Sequence, residues 1–450
     1  MLETKKLHPS KRIHNFEEVN MGISEKDAVK EAQRCLNCAN PQCVTGCPAR
    51  IDIPAFIKHI ANSEFELAAR KIREANNIPS VCGRVCPQEN YCELKCILNK
   101  NSEPISIGLL ERFAADYGNL SKSKIIKPKK IGKSVAVVGS GPSGITVSGD
   151  LARLGYNVTM FEALHEPGGV LTYGIPDFRL PVDVVKREIE YLTSLGVEIK
   201  KNHVIGNVFS LQHLKDKYDA VFLGVGAGLP NFMSIPGESL NHVYSANEYL
   251  TRVNLMHAHT FPNHHTPMKK HKKTIVIGGG NVAMDSARVA KRLGSDVTLL
   301  YRRSIDEMPA RNEEVRNAQE EGVEMLMMTN VQRIFGTENV NGIECIQMML
   351  GEEDSSGRRK PIPIDDSEFN LECDSVIIAI GQTPNPLLIS TTNLQKYKNG
   401  TIIIDKKMRT SEKGVFAGGD IVSGDTSVIK AVGDGKKAVD SIHEYLNGKV

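Results

Sequence analysis

No stretch of this 450-residue sequence approaches the roughly 20 apolar residues needed to cross a bilayer, so no membrane span is expected. Charge of one sign is missing too. The chain carries 56 Lys and Arg against 53 Asp and Glu, a formal net of +3, which gives no argument for nucleic acid or an anionic membrane as partner. Tryptophan is absent, which decides nothing. Nothing at the N-terminus resembles a secretion signal, so a reducing, cytoplasmic compartment is expected and disulfides are disfavoured. Beyond residue 96 only Cys345 and Cys373 remain, 28 positions apart. That argues against a dithiol reductase, which needs a redox Cys-x2-Cys beside its cofactor. Glycine, in contrast, is plentiful at 38 residues, and with 40% apolar content it suits an α/β protein of two to four domains.

The other eight cysteines fall within residues 35–96. They read Cys35-x2-Cys38-x4-Cys43-x3-Cys47-Pro48 and Cys82-x3-Cys86-Pro87-x4-Cys92-x3-Cys96. Four thiolates hold a 4Fe-4S cubane, and short loops let several sulfurs converge on it. In two-cluster runs the cysteine before a proline ligates the other cluster, which predicts crossed ligation. Structural zinc prefers separate Cys-x2-Cys pairs, and only one is present. Two 4Fe-4S clusters are the expectation.

Residues 1–125 read as helical between the cysteine loops, with helix-forming segments at 24–35 and 63–75. Lys122, Lys124, Lys127, Lys129, Lys130 and Lys133 read as a solvated linker. Then the texture changes. A β-branched run at 135–138 leads into glycines and a helical pattern, and the same succession recurs from 274–277. Two nucleotide-binding units are therefore expected. Between them, 241–273 carries His257, His259, His264, His265 and His271, read as a polar surface connection. Met325, Met327 and Met328 read as core packing.

In the first unit, Gly139-Ser140-Gly141-Pro142-Ser143-Gly144 closes a strand in the G-x-G-x-x-G pattern. Gly139 permits the tight turn, Gly141 the approach of a pyrophosphate, and Gly144 close packing of helix on sheet. The helix that follows offers free amides to phosphate. The next strand ends at Glu162, placed to bind ribose hydroxyls. Downstream, Gly168 and Gly169 allow backbone to approach a planar ligand, and Arg179 is a candidate phosphate contact. Near the C-terminus, 415–420 is a short strand ending in Gly419 and Asp420, followed by a helix led by Thr426. In flavoproteins that ending sets the Asp on the ribityl or pyrophosphate part of FAD, and the helix start near the flavin carbonyl. FAD is the expected ligand.

In the second unit, Gly278-Gly279-Gly280-Asn281-Val282-Ala283 repeats the fingerprint, with Ala283 as the third small residue. Its second strand ends in Tyr301-Arg302-Arg303 rather than in an acid. An acid would hold a free 2′-hydroxyl, whereas guanidiniums suit a 2′-phosphate, so NADPH is expected over NADH. Arg311 is a further candidate for that phosphate.

With these motifs in place, the chain resembles the small (beta) subunit of NADPH-dependent glutamate synthase over nearly its whole length. That family shares its plan with the N-terminal half of dihydropyrimidine dehydrogenase and the large subunit of NADH-dependent ferredoxin:NADP oxidoreductase. The match is carried by both cysteine sets, 162–176, 278–285 with Arg302 and Arg303, Ile380-Gly381-Gln382-Thr383-Pro384-Asn385, and 415–420. The resemblance implies an α/β chain with a helical N-terminal iron–sulfur domain (1–130) followed by two Rossmann-like domains. The FAD domain (131–230 and 367–450) would hold the NADPH domain (231–366) as an insertion. It also implies that Cys35, Cys38, Cys43 and Cys96 hold one cluster, and Cys47, Cys86 and Cys92 the other. Glu111 would complete the second and leave Cys82 a bystander. Counting cysteines alone gives the opposite answer, because eight thiolates satisfy two clusters.

The function so implied is electron transfer from NADPH through FAD and two 4Fe-4S clusters to an acceptor, such as ferredoxin or a glutamate synthase large subunit. No general acid or nucleophile is expected. The remaining alternatives are a stand-alone NADPH:acceptor reductase and a non-enzymatic carrier subunit, and the intact glycine loops and arginine pair speak against the second. No segment is left over for an amidotransferase or a glutamate-forming FMN barrel. The oligomeric state is open.

Overall fold

The computed structural model describes residues 2, 4–118, 128–354, 357–424 and 427–448. The N-terminal part is helical, as its composition implies. Helix Glu25–Gln33 starts where Ser24 accepts the Asp27 amide, and Ile53–Ala61 starts where Asp52 accepts that of Ala55. Helices Phe65–Arg73, Pro79–Val85 and Ile107–Tyr117 complete the bundle. Its buried residues Phe56, Ile78 and Phe113 belong to one apolar core with Val137, Val147 and Val432 of the next unit. The helical part is thus packed onto the first nucleotide unit through a shared apolar core, flanked by buried polar contacts such as Asn77 Nδ2 donating to Asp150 at 2.8 Å.

Two parallel five-stranded sheets follow. The first runs in the order Val415–Ala417, Ala220–Leu223, Ser134–Val138, Asn157–Phe161, Glu198–Lys200. Its central strands Ser134–Val138 and Ala220–Leu223 are almost wholly buried β-branched and apolar residues, which requires cover on both faces. Helix Pro142–Arg153 packs on helix Val428–Leu446, so the C-terminal element closes the unit that Ser134 opens. Thr426 lies outside the described residues. The second sheet orders Val243–Ser245, Ser375–Ile378, Lys273–Ile277, Asp296–Tyr301 and Glu324–Met327. Thr329–Gly336, Val340–Glu353, Arg359–Pro363 and Phe369–Leu371 form an antiparallel sheet beside it.

The chain returns from the inserted unit just after strand Ser375–Ile378. Strands Phe369–Leu371 and Ser375–Ile378 pair within the inserted unit, and the chain recrosses at the two-stranded ladder of Leu229–Pro230 with Gln382–Thr383. A glycine-ended apolar strand looks the same from either unit, so only its pairing partner places it. Met325 and Met327 pack against the core of the inserted unit, and His271 is buried where Tyr244 Oη meets its ring at 3.2 Å. His259 stacks on Phe16.

One feature had no sequence signal. Residues 4–23 run from the helical part onto the inserted unit, where Arg292 Nε donates to the Asn15 carbonyl at 3.0 Å, and Val19 N–H donates to the Phe178 carbonyl of the first nucleotide unit at 2.9 Å. The buried Arg12 reaches Glu321 at 2.7 Å and Glu320 at 2.8 Å. Phe178, from the first nucleotide unit, lies under the guanidiniums of Arg288 and Arg292.

Candidate functional site

A single cavity of about 670 Å³ runs between the units. Its walls come from the first glycine loop (Gly139, Gly141), the second (Gly280 to Val282) and the cysteine-bearing loop (Val85, Pro87, Tyr91). Each glycine has a distinct task. Gly139 turns at φ +97°, where a Cβ would sit 2.3 Å from the Gly224 carbonyl, and a Cβ on Gly144 would lie 2.0 Å from the Gly139 carbonyl. Gly141 and Gly280 face open space, as positions that let a pyrophosphate approach must. Gly278 repeats the turn, with Ala379 in the place of Gly224, and Ala283 is fully buried.

Glu162 sits at the end of its strand, accepting from Ser140 N at 3.1 Å, from Ser140 Oγ, and from Leu164 N at 2.8 Å. Ser140 Oγ in turn accepts from Gly168 N, which draws the 168–169 loop over Gly141. Ser143 Oγ donates to the Gly418 carbonyl at 3.4 Å, so the first helix touches the strand that ends in Gly419 and Asp420. Tyr173 lines the cavity, its hydroxyl pushed up to about 12 by burial and by the Asp420 and Glu162 carboxylates. At the far wall, Tyr91 Oη and Ser427 Oγ lie 3.0 Å apart, bringing the second cysteine loop to the start of the last helix. Gly381 turns at φ +101° at the recrossing and also lines the cavity.

The structure redistributes the arginines. Arg302 is exposed, and among the described residues nothing engages it by hydrogen bond or ion pair. Arg303 turns inward, donating to the Arg359 carbonyl at 2.8 Å and to Asp354 at 2.6 Å. It braces the hairpin before Arg359, a task that a strand-end pattern does not reveal. Arg179 lines the cavity as an ion pair with Asp285 at 2.6 Å, with Glu314 at 3.4 Å. The other oxygen of Asp285, Oδ1, is buried at the cavity wall with no partner, a feature of a pocket shaped for a polar ligand. Arg311 is drawn away to the iron–sulfur unit.

The cysteines divide into two groups. Cys35, Cys38, Cys43 and Cys96 line one small apolar space with Ile53, Ile57 and Ile105. Burial and then the neighbouring Cys96 push Cys43 up to about 11. Cys47, Cys82, Cys86 and Cys92 are buried together, and the Glu111 carboxylate acts on all four. Burial pushes Glu111 itself up to about 8 despite the 3.0 Å hydrogen bond from Asn76 Nδ2. Such groups ionise against a cation, which a cluster supplies. Among the described residues, no group of three or more Cys, His, Asp or Glu side chains is placed to hold a single metal ion. None of the ten cysteines is in a disulfide.

Fold and site together define an NADPH-dependent oxidoreductase carrying FAD and 4Fe-4S chemistry. Residues 12–123 match the family profile "dihydropyrimidine dehydrogenase domain II, 4Fe-4S cluster", and 133–435 match "pyridine nucleotide-disulphide oxidoreductase". The chain belongs to the family of glutamate synthase small chains and related NADPH oxidoreductases within that broader class. It is 36% identical to the glutamate synthase [NADPH] small chain of Escherichia coli (strain K12) over 446 residues, 96% of this chain and 94% of the relative. It is 39% identical to the NADP(+)-dependent formate dehydrogenase subunit beta of Moorella thermoacetica over 432 residues, but spans only 60% of that subunit. In fold it is similar to Mycobacterium tuberculosis FprA in complex with NADPH, with a TM-score of 0.61 at 20% identity, over 70% of this chain and 85% of that one. Among the described residues no helix is long and apolar enough to cross a membrane.

Proposed function

We propose that this chain is the electron-input component of a redox assembly, drawing on NADPH at the second glycine loop and delivering single electrons at the Cys35 group. The observation that carries this reading is the shared cavity, where both nucleotide loops and the second cysteine loop meet. The flavin supplies the change from two-electron to one-electron transfer, and the clusters supply the relay. The protein's part is placement. Glu162 holds the first glycine loop closed through Ser140 and has its carboxylate at the adenosine ribose position. Gly280 and the amides from Asn281 onward take the pyrophosphate of the second nucleotide, and Arg302 takes its 2′-phosphate. Arg179, paired with Asp285, joins the two units at the cavity wall.

Cys35, Cys38, Cys43 and Cys96 hold the outer cluster, and Cys47, Cys86, Cys92 and Glu111 the inner one. Cys82 is buried among the inner ligands, and the Asn76 that bonds Glu111 also bonds the Cys82 thiol. The units are 1–130, 131–230 with 381–450, and an insertion of 231–380. Beside the outer group, Leu36, Leu94 and Ile97 are at least half exposed among Asn37, Asn40, Lys95 and Lys100. That apolar, cationic rim suits a protein acceptor, a glutamate synthase large subunit or an acidic ferredoxin.

Anaerobic protein should contain about eight irons, two cubanes' worth. Cys82→Ala should keep all of them, whereas Glu111→Ala should lose or spectrally shift one cluster. The reverse pattern, read by iron content and electron paramagnetic resonance, would reassign the fourth ligand.

The 450-residue chain alone should bleach its flavin and reduce artificial acceptors with NADPH, yet form no glutamate from glutamine and 2-oxoglutarate. Robust product from the pure chain would sink the electron-input reading.

A further inference from the structure

Arg311 lies where the inserted unit meets the iron–sulfur unit. Its backbone N–H donates to Asn281 Oδ1 at 3.0 Å, and Ala310 N–H donates to the Gly279 carbonyl at 3.2 Å. Residues 310–311 therefore rest on the loop that receives the pyrophosphate of the pyridine nucleotide. The guanidinium points the other way and is only a tenth exposed. Nη1 donates to the Arg84 carbonyl at 2.9 Å, Nη2 to Gln88 Oε1 at 3.3 Å, and Nε to Glu89 Oε1 at 3.4 Å. Gln88 continues the line, donating from Nε2 to the Cys82 carbonyl at 3.0 Å. Its amide packs against Gly108, where a side chain would collide, since a Cβ there would fall 2.3 Å from that same Nε2. Arg311 and Gln88 thus span the distance from the nucleotide loop to the segment between Cys86 and Cys92.

We propose that Arg311 is a positioning residue that couples occupancy of the pyridine-nucleotide site to the inner cluster. This rests on the reading that Cys47, Cys86, Cys92 and Glu111 hold that cluster. Phosphates bound at Gly280 and Asn281 fix the side chain of Asn281 and, through its bond to the Arg311 amide, the guanidinium. The guanidinium fixes Gln88 and the 84–89 backbone. The dipoles and charges nearest a cluster's sulfurs set its potential, so moving this segment moves the potential. Linkage makes the coupling reciprocal, and the reduced cluster alters nucleotide affinity by the same factor.

The test uses anaerobic holoenzyme and 2′-phospho-ADP-ribose, which carries the phosphates but cannot accept a hydride. Midpoint potentials of both clusters are read by electron paramagnetic resonance with and without it. In the wild type the inner cluster should shift by about fivefold to tenfold in its reduced-to-oxidised ratio, tenfold being 59 mV for a one-electron centre. The outer cluster serves as internal control and should not move. Arg311→Met should abolish the shift while retaining both clusters, and Gln88→Leu should do the same if the first variant fails to assemble. A shift that persists in either assembled variant overturns the proposal, as does an unshifted wild type that holds both clusters. Wild-type protein with only four irons would instead overturn the cluster assignment on which the proposal stands.

Discussion

Glu321→Ala should destabilise the folded chain by about 3–5 kcal/mol, the usual cost of removing one partner from a buried ion cluster. The Glu321 side chain is fully buried and meets three guanidiniums. Arg12 donates at 2.7 Å, Arg288 at 2.8 and 3.0 Å, and Arg292 at 2.6 and 3.2 Å. Without the carboxylate these cations face one another with Glu314, Glu320 and the nearby Asp285 left to balance them. Burial raises the Glu321 carboxyl, but Arg288 and Arg292 outweigh that and hold it at about 2. A depressed folded-state value gives a contribution that is complete above the ordinary carboxyl range, near 4.5, and lost as pH falls towards 2. Chemical denaturation at pH 7 and pH 3 measures both effects. The difference between wild type and variant should be large at pH 7 and smaller at pH 3. An equal difference at the two values would show that lost packing, not the ion cluster, is responsible.

The second large effect is on nucleotide choice. On the proposed placement of Arg302 at the 2′-phosphate, Arg302→Ala removes charge-assisted hydrogen bonds each worth about 1.5–3 kcal/mol, so kcat/KM for NADPH should fall at least tenfold. NADH lacks that phosphate and should be little affected. Arg303→Ala should behave differently, because Arg303 braces Asp354 and the Arg359 carbonyl. It should lower activity with both nucleotides alike, together with the melting temperature. Steady-state kinetics with an artificial acceptor distinguishes the two. Matching losses with NADPH and NADH in Arg302→Ala would remove that residue from the phosphate site.

The two kinds of arginine show where sequence reading stops. Arg302 and Arg303 are neighbours after the same strand, and pattern assigns them one task. Successive residues at a strand end point to opposite sides, so one faces solvent and the other the hairpin. Arg179 and Arg311 are cations beside phosphate-binding motifs, yet Asp285, Glu314 and Glu89 claim them through contacts 106, 135 and 222 positions away.

Local chemistry determined much of this protein by itself. Cysteine spacing marked the iron–sulfur unit. Strands ending in glycine and followed by helices marked both nucleotide units, because a tight turn, an approaching phosphate and a close helix each exclude a side chain at a fixed offset. Strand Val415–Ala417 with Asp420 was legible as the return to the first unit, and its pairing with Ala220–Leu223 agrees. Tertiary structure alone decided that strand Ser375–Ile378 pairs in the second sheet, that Arg12 and Phe178 clamp the inserted unit, and that Arg311 faces the cysteine loop. Each of these depends on which surfaces meet after folding, and buried ion pairs between distant segments leave no periodicity or spacing in the chain that forms them.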